Sequence, residues 1–125
     1  MSTTQRAFTG NRPAQKDFYI KQGAYWSPSI AIQNNDGTPK DISGHAFKMQ
    51  IRETYEGEVI AELSSSASSI LVNESTATIT PTLTSDQTAE LSFTKAVYDI
   101  FDYPPSGNDW TVLEGQIELG KRVTQ

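Results

Sequence analysis

The sequence predicts an all-β fold, an antiparallel β-sandwich, and three observations carry that prediction. Over residues 45–53, Phe47, Met49 and Ile51 alternate with Lys48, Gln50 and Arg52, the period-two pattern of a half-buried strand. Short runs of this kind recur along the chain, punctuated by Asn, Asp, Gly, Ser and Pro, the residues that turns require. A helical signal occurs once, at Thr84-Ser85-Asp86-Gln87, which has the capping-box form and leaves room for about two turns before Ser92 and Phe93.

The elements follow in order. Residues 17–23 read as a short strand with Phe18 and Ile20 on one face and Tyr19 and Lys21 on the other. Tyr25-Trp26-Ser27-Pro28 precedes a strand over 29–33 in which Ile30 and Ile32 share a face. Pro28 lacks a backbone donor, so this strand begins at an edge or a bend. Asn34-Asn35-Asp36-Gly37 is the strongest turn signal, since these residues tolerate positive φ. Residues 38–44 then lead into the 45–53 strand, Glu56-Gly57 turns the chain, and 58–63 is the next strand. The serine-rich stretch 64–69 is too short for a domain linker and reads as a loop. Strands over 70–72 and 76–82 flank Asn73-Glu74-Ser75, and the short helix after Thr84 turns Ala89 and Leu91 inward.

A hairpin closes the chain. Its first strand, 96–102, places Ala96, Tyr98 and Ile100 on one face and Val97, Asp99 and Phe101 on the other. Its second strand runs from 110 to about 119, with Trp110 and Val112 sharing a face and Ile117 and Leu119 sharing a face beyond Gly115. Gly115 invites a bulge or a close backbone approach. Between the strands, Tyr103-Pro104-Pro105-Ser106-Gly107-Asn108-Asp109 can continue neither strand nor helix. About seven to nine short strands with regular turns give the sandwich an immunoglobulin-like outline, without the Cys-Trp-Cys spacing of antibody domains.

A chain of 125 residues fits one domain with a real core. With no cysteine it has no disulfide, no thiolate nucleophile and no sulfur-bound zinc. The polar start is no signal peptide, and no apolar run reaches the roughly 20 residues of a membrane span. The expectation is a soluble protein made without export. Residues 1–16 carry Arg6, Arg12 and Lys16 and no acid, which leaves seven bases against fifteen acids in the remainder of a chain of net charge −5. This pattern divides the chain into an extended N-terminal arm, 1–16, and a sandwich domain, 17–125. An acidic body repels nucleic acid, so a basic arm suits an acidic protein surface better.

No residue set announces catalysis. His45 is the only histidine, and at a strand start it reads as a surface residue. Asp99, Asp102 and Asp109 could assemble a carboxylate cluster for acid–base chemistry or calcium, but the alternating oxygen ligands of a calcium loop are missing, Asp99 between large apolar neighbours suits a solvent-facing strand position, and a structural role is the expectation. Glu53, Glu56, Glu58 and Glu62 read as a solvated acidic edge that discourages aggregation. There is no nucleophile elbow and no glycine-rich phosphate loop. An enzyme, a metal and a cofactor are all unexpected. Tyr98 and Trp110 read as core. Trp26 is weighed between core and contact and Tyr25 stands beside it, while Tyr103 sits on the Pro104-Pro105 loop. Exposed aromatics in such places anchor protein contacts or stack on sugars.

Several signals occur in a familiar order: Gln22-Gly23 followed by Trp26, then Asp36-Gly37-Thr38-Pro39 with Asp41-Ile42-Ser43-Gly44, then Lys48-Met49-Gln50-Ile51-Arg52. Gln87-Thr88-Ala89, Val97-Tyr98-Asp99-Ile100, Leu113-Glu114-Gly115-Gln116-Ile117 and Val123-Thr124 complete the series. Over 18–124 this resembles small structural proteins of tailed bacteriophages, whose immunoglobulin-like domain is similar to the N-terminal domain of upper-baseplate proteins. The resemblance implies a non-enzymatic virion component of the tail, baseplate or neck, joined by protein contacts to other virion proteins and to copies of itself. The acidic body and the lack of a long apolar run leave nucleic acid and membrane unexpected as partners. The alternatives are a capsid decoration protein, or a carbohydrate-binding module using Tyr25, Trp26, Tyr103 and Trp110 on a host glycan. The arm lies outside the resemblance. On physical grounds it suits addition to a neighbour's sheet or groove, with Phe8 as apolar anchor and Arg6 and Arg12 as charge partners. The loop from Tyr103 to Asp109, with Pro104 and Pro105, is the second expected contact surface, and Tyr25 and Trp26 are further expected partner-binding residues.

Overall fold

The computed structural model describes residues 6–7, 14–34 and 36–123. Within them lie β1 (Arg6–Ala7), β2 (Ala14–Gln15), β3 (Phe18–Lys21), β4 (Ile30–Ile32), β5 (Ala46–Arg52), β6 (Val59–Ser64), β7 (Ile70–Asn73), β8 (Thr78–Pro81), α1 (Ser85–Ala89), β9 (Lys95–Tyr103) and β10 (Trp110–Gly120). One sheet has the order β1-β4-β8-β7; the other runs β2-β10-β9-β5-β6, with β3 also on β10. Pairing is antiparallel except where β1 meets β4 and where β2 and β3 meet β10. The fold is an all-β sandwich with one short helix.

Alternation builds the core. Phe47, Met49 and Ile51 of β5 are buried, as are Ala96, Tyr98 and Ile100 of β9, and they meet Ile30, Ile32 and Ile79 of the other sheet in one cluster. The expected phase fails in β10. Its ladder with β9 shifts register between Thr111 and Leu113, so consecutive residues Val112 and Leu113 are both buried. This bulge puts Leu113, Ile117 and Leu119 in one inward phase.

Gly115 is therefore not the bulge. It is the close approach. A Cβ there would collide with the Lys16 carbonyl. At this point the edge strand on β10 is interrupted: β2 pairs with Leu113 and Glu114, and β3 with residues 117–120. Three hydrogen bonds bridge the interruption. Lys16 N donates to Glu114 O at 3.0 Å, Gln116 N donates to Asp17 Oδ1 at 3.0 Å, and the Tyr98 hydroxyl donates to Lys16 O at 2.6 Å. Burial, with Asp17 and Glu114 nearby, pushes the Tyr98 phenol far above its ordinary range, so it stays a donor.

The domain boundary differs from the one the charges mark. Ala14 and Gln15 belong to the six-stranded sheet, Lys16 N bonds to Glu114 O of β10, and Ala14 is buried. Charge composition reports where acids begin, whereas the ladder is built from backbone groups that carry no such mark. Arg6 and Ala7 pair with Ala31 and Ile32 of the same chain. Phe8 and Arg12 lie outside the described residues.

The helix has both arms of its capping box: Gln87 N donates to Thr84 Oγ1 at 3.2 Å, and Thr84 N donates to Gln87 Oε1 at 2.8 Å. Its inward residue is Thr88, fully buried, with Leu91 following; Ala89 is only half-buried. The Thr88 hydroxyl donates to Ala24 O at 2.9 Å and accepts from Gly23 N at 3.0 Å, tying the helix to the turn after β3. The serine-rich stretch forms the crossing from β6 to β7, where Ser64 N donates to Ser69 Oγ at 2.9 Å and Phe47 N donates to Ser65 Oγ at 3.0 Å.

Replacing Gly115 with valine forces the edge strand off β10, and the expected cost is about 1–3 kcal/mol, read from the urea midpoint. Tyr98→Phe, which loses one hydrogen bond, costs about 1 kcal/mol. An unchanged midpoint for Gly115→Val would remove the close approach from this account.

Candidate contact site at the 103–109 loop

The loop leaves β9 after Tyr103 and enters β10 at Trp110. Gly107 N donates to Pro104 O at 3.0 Å, closing a turn, and Gly107 takes φ +85°, a value open to glycine at little cost. Below the loop the inward phase of β9 continues past Ile100 to Asp102, which is fully buried. Its Oδ1 meets His45 Nδ1 at 2.7 Å, and its Oδ2 accepts from Trp110 Nε1 at 3.2 Å. Among the described residues no other basic and acidic side chains lie within 4.0 Å of each other. A carboxylate out of water is costly unless hydrogen-bonded, and these two rings supply the bonds. With Nδ1–H directed at Asp102, a neutral His45 keeps Nε2 as an acceptor.

His45 comes from the residue before β5. It is half-buried, its ring stacks on Phe47 with centroids 6.3 Å apart, and its backbone N–H donates to Ile42 O. Gly44, at φ +78°, sits against Pro105 of the loop. Between loop and body lies an open cleft of about 490 Å³, lined by Lys40, His45, Pro104, Ser106, Asn108, Asp109 and Trp110.

Two expectations are corrected here. His45 is not a surface residue, because the β5–β9 register brings Phe47 opposite Asp102 and His45 within reach. The carboxylate cluster, which the sequence left as the lesser alternative, does not form: Asp99 is on the outward phase, Asp102 on the inward one, and Asp109 on the exposed loop. Trp26 is not an exposed contact residue. It is 9% exposed, packs edge-on against Phe18 at 5.4 Å and bridges to Leu83, since the turn of 22–25 swings it into the core.

The other expected contact residues are spread out. Tyr25 is 63% exposed. Tyr103 is half-buried on the outer face, tilted against Phe101 at 5.5 Å with Lys48 Nζ 6.0 Å from its ring. Pro104 is half-buried and Pro105 exposed. Arg6 is placed by its backbone alone, on β4. Residues 103–105 thus share one end of the sandwich with His45, Asp102 and Trp110, whereas Tyr25 stands in the turn after β3. The pairing of His45 with Asp102 was missed by sequence reasoning. The one available signal was the alternation 96, 98, 100, 102, which already points Asp102 inward.

On the outer face, Asp99 lies directly opposite Glu114 across the β9–β10 ladder, an unfavourable like-charge pair. Partial burial, followed by Glu114, pushes the Asp99 carboxyl up, while Arg52 opposes the shift. Arg52 itself donates to Gly57 O at 2.6 Å and to Gln50 Oε1 at 2.9 Å.

These features define a β-sandwich with loop-borne polar and aromatic groups at one end. The N-terminal domain of phage TP901-1 ORF48 has a similar structure: the alignment covers 94% of this chain and 97% of that one, with a TM-score of 0.56 and 13% identity. That likeness is one of fold. The extracellular domains 3–5 of Drosophila OTK align over 95% of this chain and 37% of theirs at a TM-score of 0.39 and 10% identity, which carries no argument for this chain. No protein-family model matches the sequence, and no curated protein matches it.

His45→Ala leaves Asp102 buried with one donor and is expected to cost about 1–3 kcal/mol, whereas Ser106→Ala in the same cleft stays within about 0.5 kcal/mol; urea midpoints compare them. Asp99→Asn has the opposite sign. A raised carboxyl in the folded state means that ionised Asp99 opposes folding at pH values above that raised value. Below the ordinary aspartate value of 3.8 the group is protonated in both states and the penalty is gone. The substitution is therefore expected to raise the urea midpoint at pH 7, with the gain vanishing as pH falls through the carboxylate range. A pH-independent gain would contradict the electrostatic origin.

Proposed function

We propose that this protein is a non-enzymatic structural component of a tailed-phage virion, an assembly adaptor of the tail, baseplate or neck that works by protein–protein contact. The observation that carries the reading is the near end-to-end likeness of fold to a phage protein's N-terminal domain, in agreement with the motif order of residues 18–124. The physical character of the molecule supports it. Its strands pair over long sequence separations, and large side chains stand exposed at its surface, Tyr55 at 75% and Leu71 at 56% besides Tyr25. Assemblies built by symmetry repeat such contacts across many copies.

The arm is the second part of the proposal. Its basic residues Arg6 and Arg12 and its apolar Phe8 suit an acidic, partly apolar partner surface. The acidic body of another copy of this chain is one such surface. The loop residues Tyr103, Pro104 and Pro105, with Tyr25, form the remaining contacts.

Deleting residues 1–13 spares β2 and is expected to abolish incorporation when the protein is co-expressed with its genomic neighbours, while the urea midpoint of the isolated body falls by no more than about 1 kcal/mol equivalent, the scale of one or two backbone hydrogen bonds. Full incorporation of the truncated chain would remove the arm from the proposal. Microscopy of labelled particles checks placement: label on the capsid shell would overturn the tail-side reading in favour of decoration.

A further inference from the structure

The buried Asp102 carboxylate spends both oxygens on orienting two ring side chains, His45 and Trp110, and both rings line the same cleft. Closing a hairpin loop does not require this. A neutral residue at position 102 would avoid the cost of taking a carboxylate out of water. Orienting rings at a cleft is a different task, and buried hydrogen-bonded groups beneath a site commonly serve it. His45 Nε2 has no hydrogen-bond partner among the described residues, and it is not among their buried unsatisfied atoms, so it remains available to a ligand.

The lining decides the class of ligand. Lys40 and Asp109 cancel in formal charge, Asn108 and Ser106 add neutral donors and acceptors, and only Pro104 and Trp110 are apolar. An anion would meet the Asp109 carboxylate, and an apolar ligand would strand most of the polar groups. A neutral polyhydroxyl ring satisfies them: carboxylate and amide groups each take adjacent hydroxyls, and an indole offers a flat apolar surface with a polar tip. At about 490 Å³ the cleft lies within the size range of small-ligand sites. We propose that the cleft beneath the 103–109 loop binds a neutral saccharide, with Trp110 as the stacking plane and His45, Lys40, Asn108 and Asp109 as hydroxyl partners.

This goes beyond the assembly role and does not depend on it. It also narrows the aromatic set that the sequence suggested: Trp26 is core and Tyr103 lies on the outer face, so Trp110 alone of the four lines the cleft. Asp102 acts here as a positioning residue.

The test is a ¹H–¹⁵N titration of the full chain with glucose, galactose, rhamnose and N-acetylglucosamine, singly and as short oligosaccharides, with inorganic phosphate alongside. The expected result is a saturable shift of the Trp110 indole N–H and of the 106–109 amides by at least one saccharide, with the Trp26 indole unmoved. Asn108→Ala and Asp109→Ala, both on the exposed loop, are each expected to weaken that binding roughly tenfold, the value of one good hydrogen bond. Asp102→Asn should weaken it and also move the free-state Trp110 indole resonance, a signature that a purely structural role would not link to affinity. No response to any saccharide, a response unchanged in the two loop variants, or a stronger response to phosphate would each overturn the proposal. The readout uses the isolated chain, so failure to enter particles leaves it untouched.

Discussion

Strand β10 can be paired along both flanks only because Gly115 has no side chain. One flank carries β9 and the other carries β2 and β3 in sequence, with Lys16 crossing directly over the glycine. The crossing would leave backbone groups unsatisfied at an interruption in the ladder, and unsatisfied buried groups cost more than a mutated contact. Here Tyr98 and Asp17 supply the missing partners. Because Tyr98 is also a core residue of β9, one side chain joins the edge strand, the central strand and the hydrophobic interior. The N-terminal part of the chain is thereby committed to the body from Ala14 onward.

At the other end of the same hairpin the problem is electrostatic. Asp102 occupies an inward position that alternation would ordinarily assign to an apolar residue, and the register of β5 against β9 delivers His45 to it. Trp110, the residue opposite Asp102 in the β9–β10 ladder, completes the set. The polar network and the loop it underlies are thus products of pairing, not of local sequence. They place the chemically varied groups of the molecule around one cleft, while the outer face of β9 carries the unfavourable Asp99–Glu114 juxtaposition. The chemically varied surfaces of the sandwich lie at the loop end and along the outer face of β9.

The sequence by itself determined what local periodicity and backbone chemistry determine: the strand pattern of β5 and β9, the Asn-Asp-Gly turn region, the Thr84 capping box and the class of the fold. Each of these is settled by residues within a few positions of one another. Tertiary structure alone decided the pairing of His45 with Asp102 across 57 positions and of Lys16 with Tyr98 across 82, the bulge at Val112, and the burial of Trp26. A strand's alternation says which side chains share a face, but register says which strand they face, and a shift of one residue reverses the answer. That is why Asp102 was legible as inward-pointing from its spacing while its partner was not.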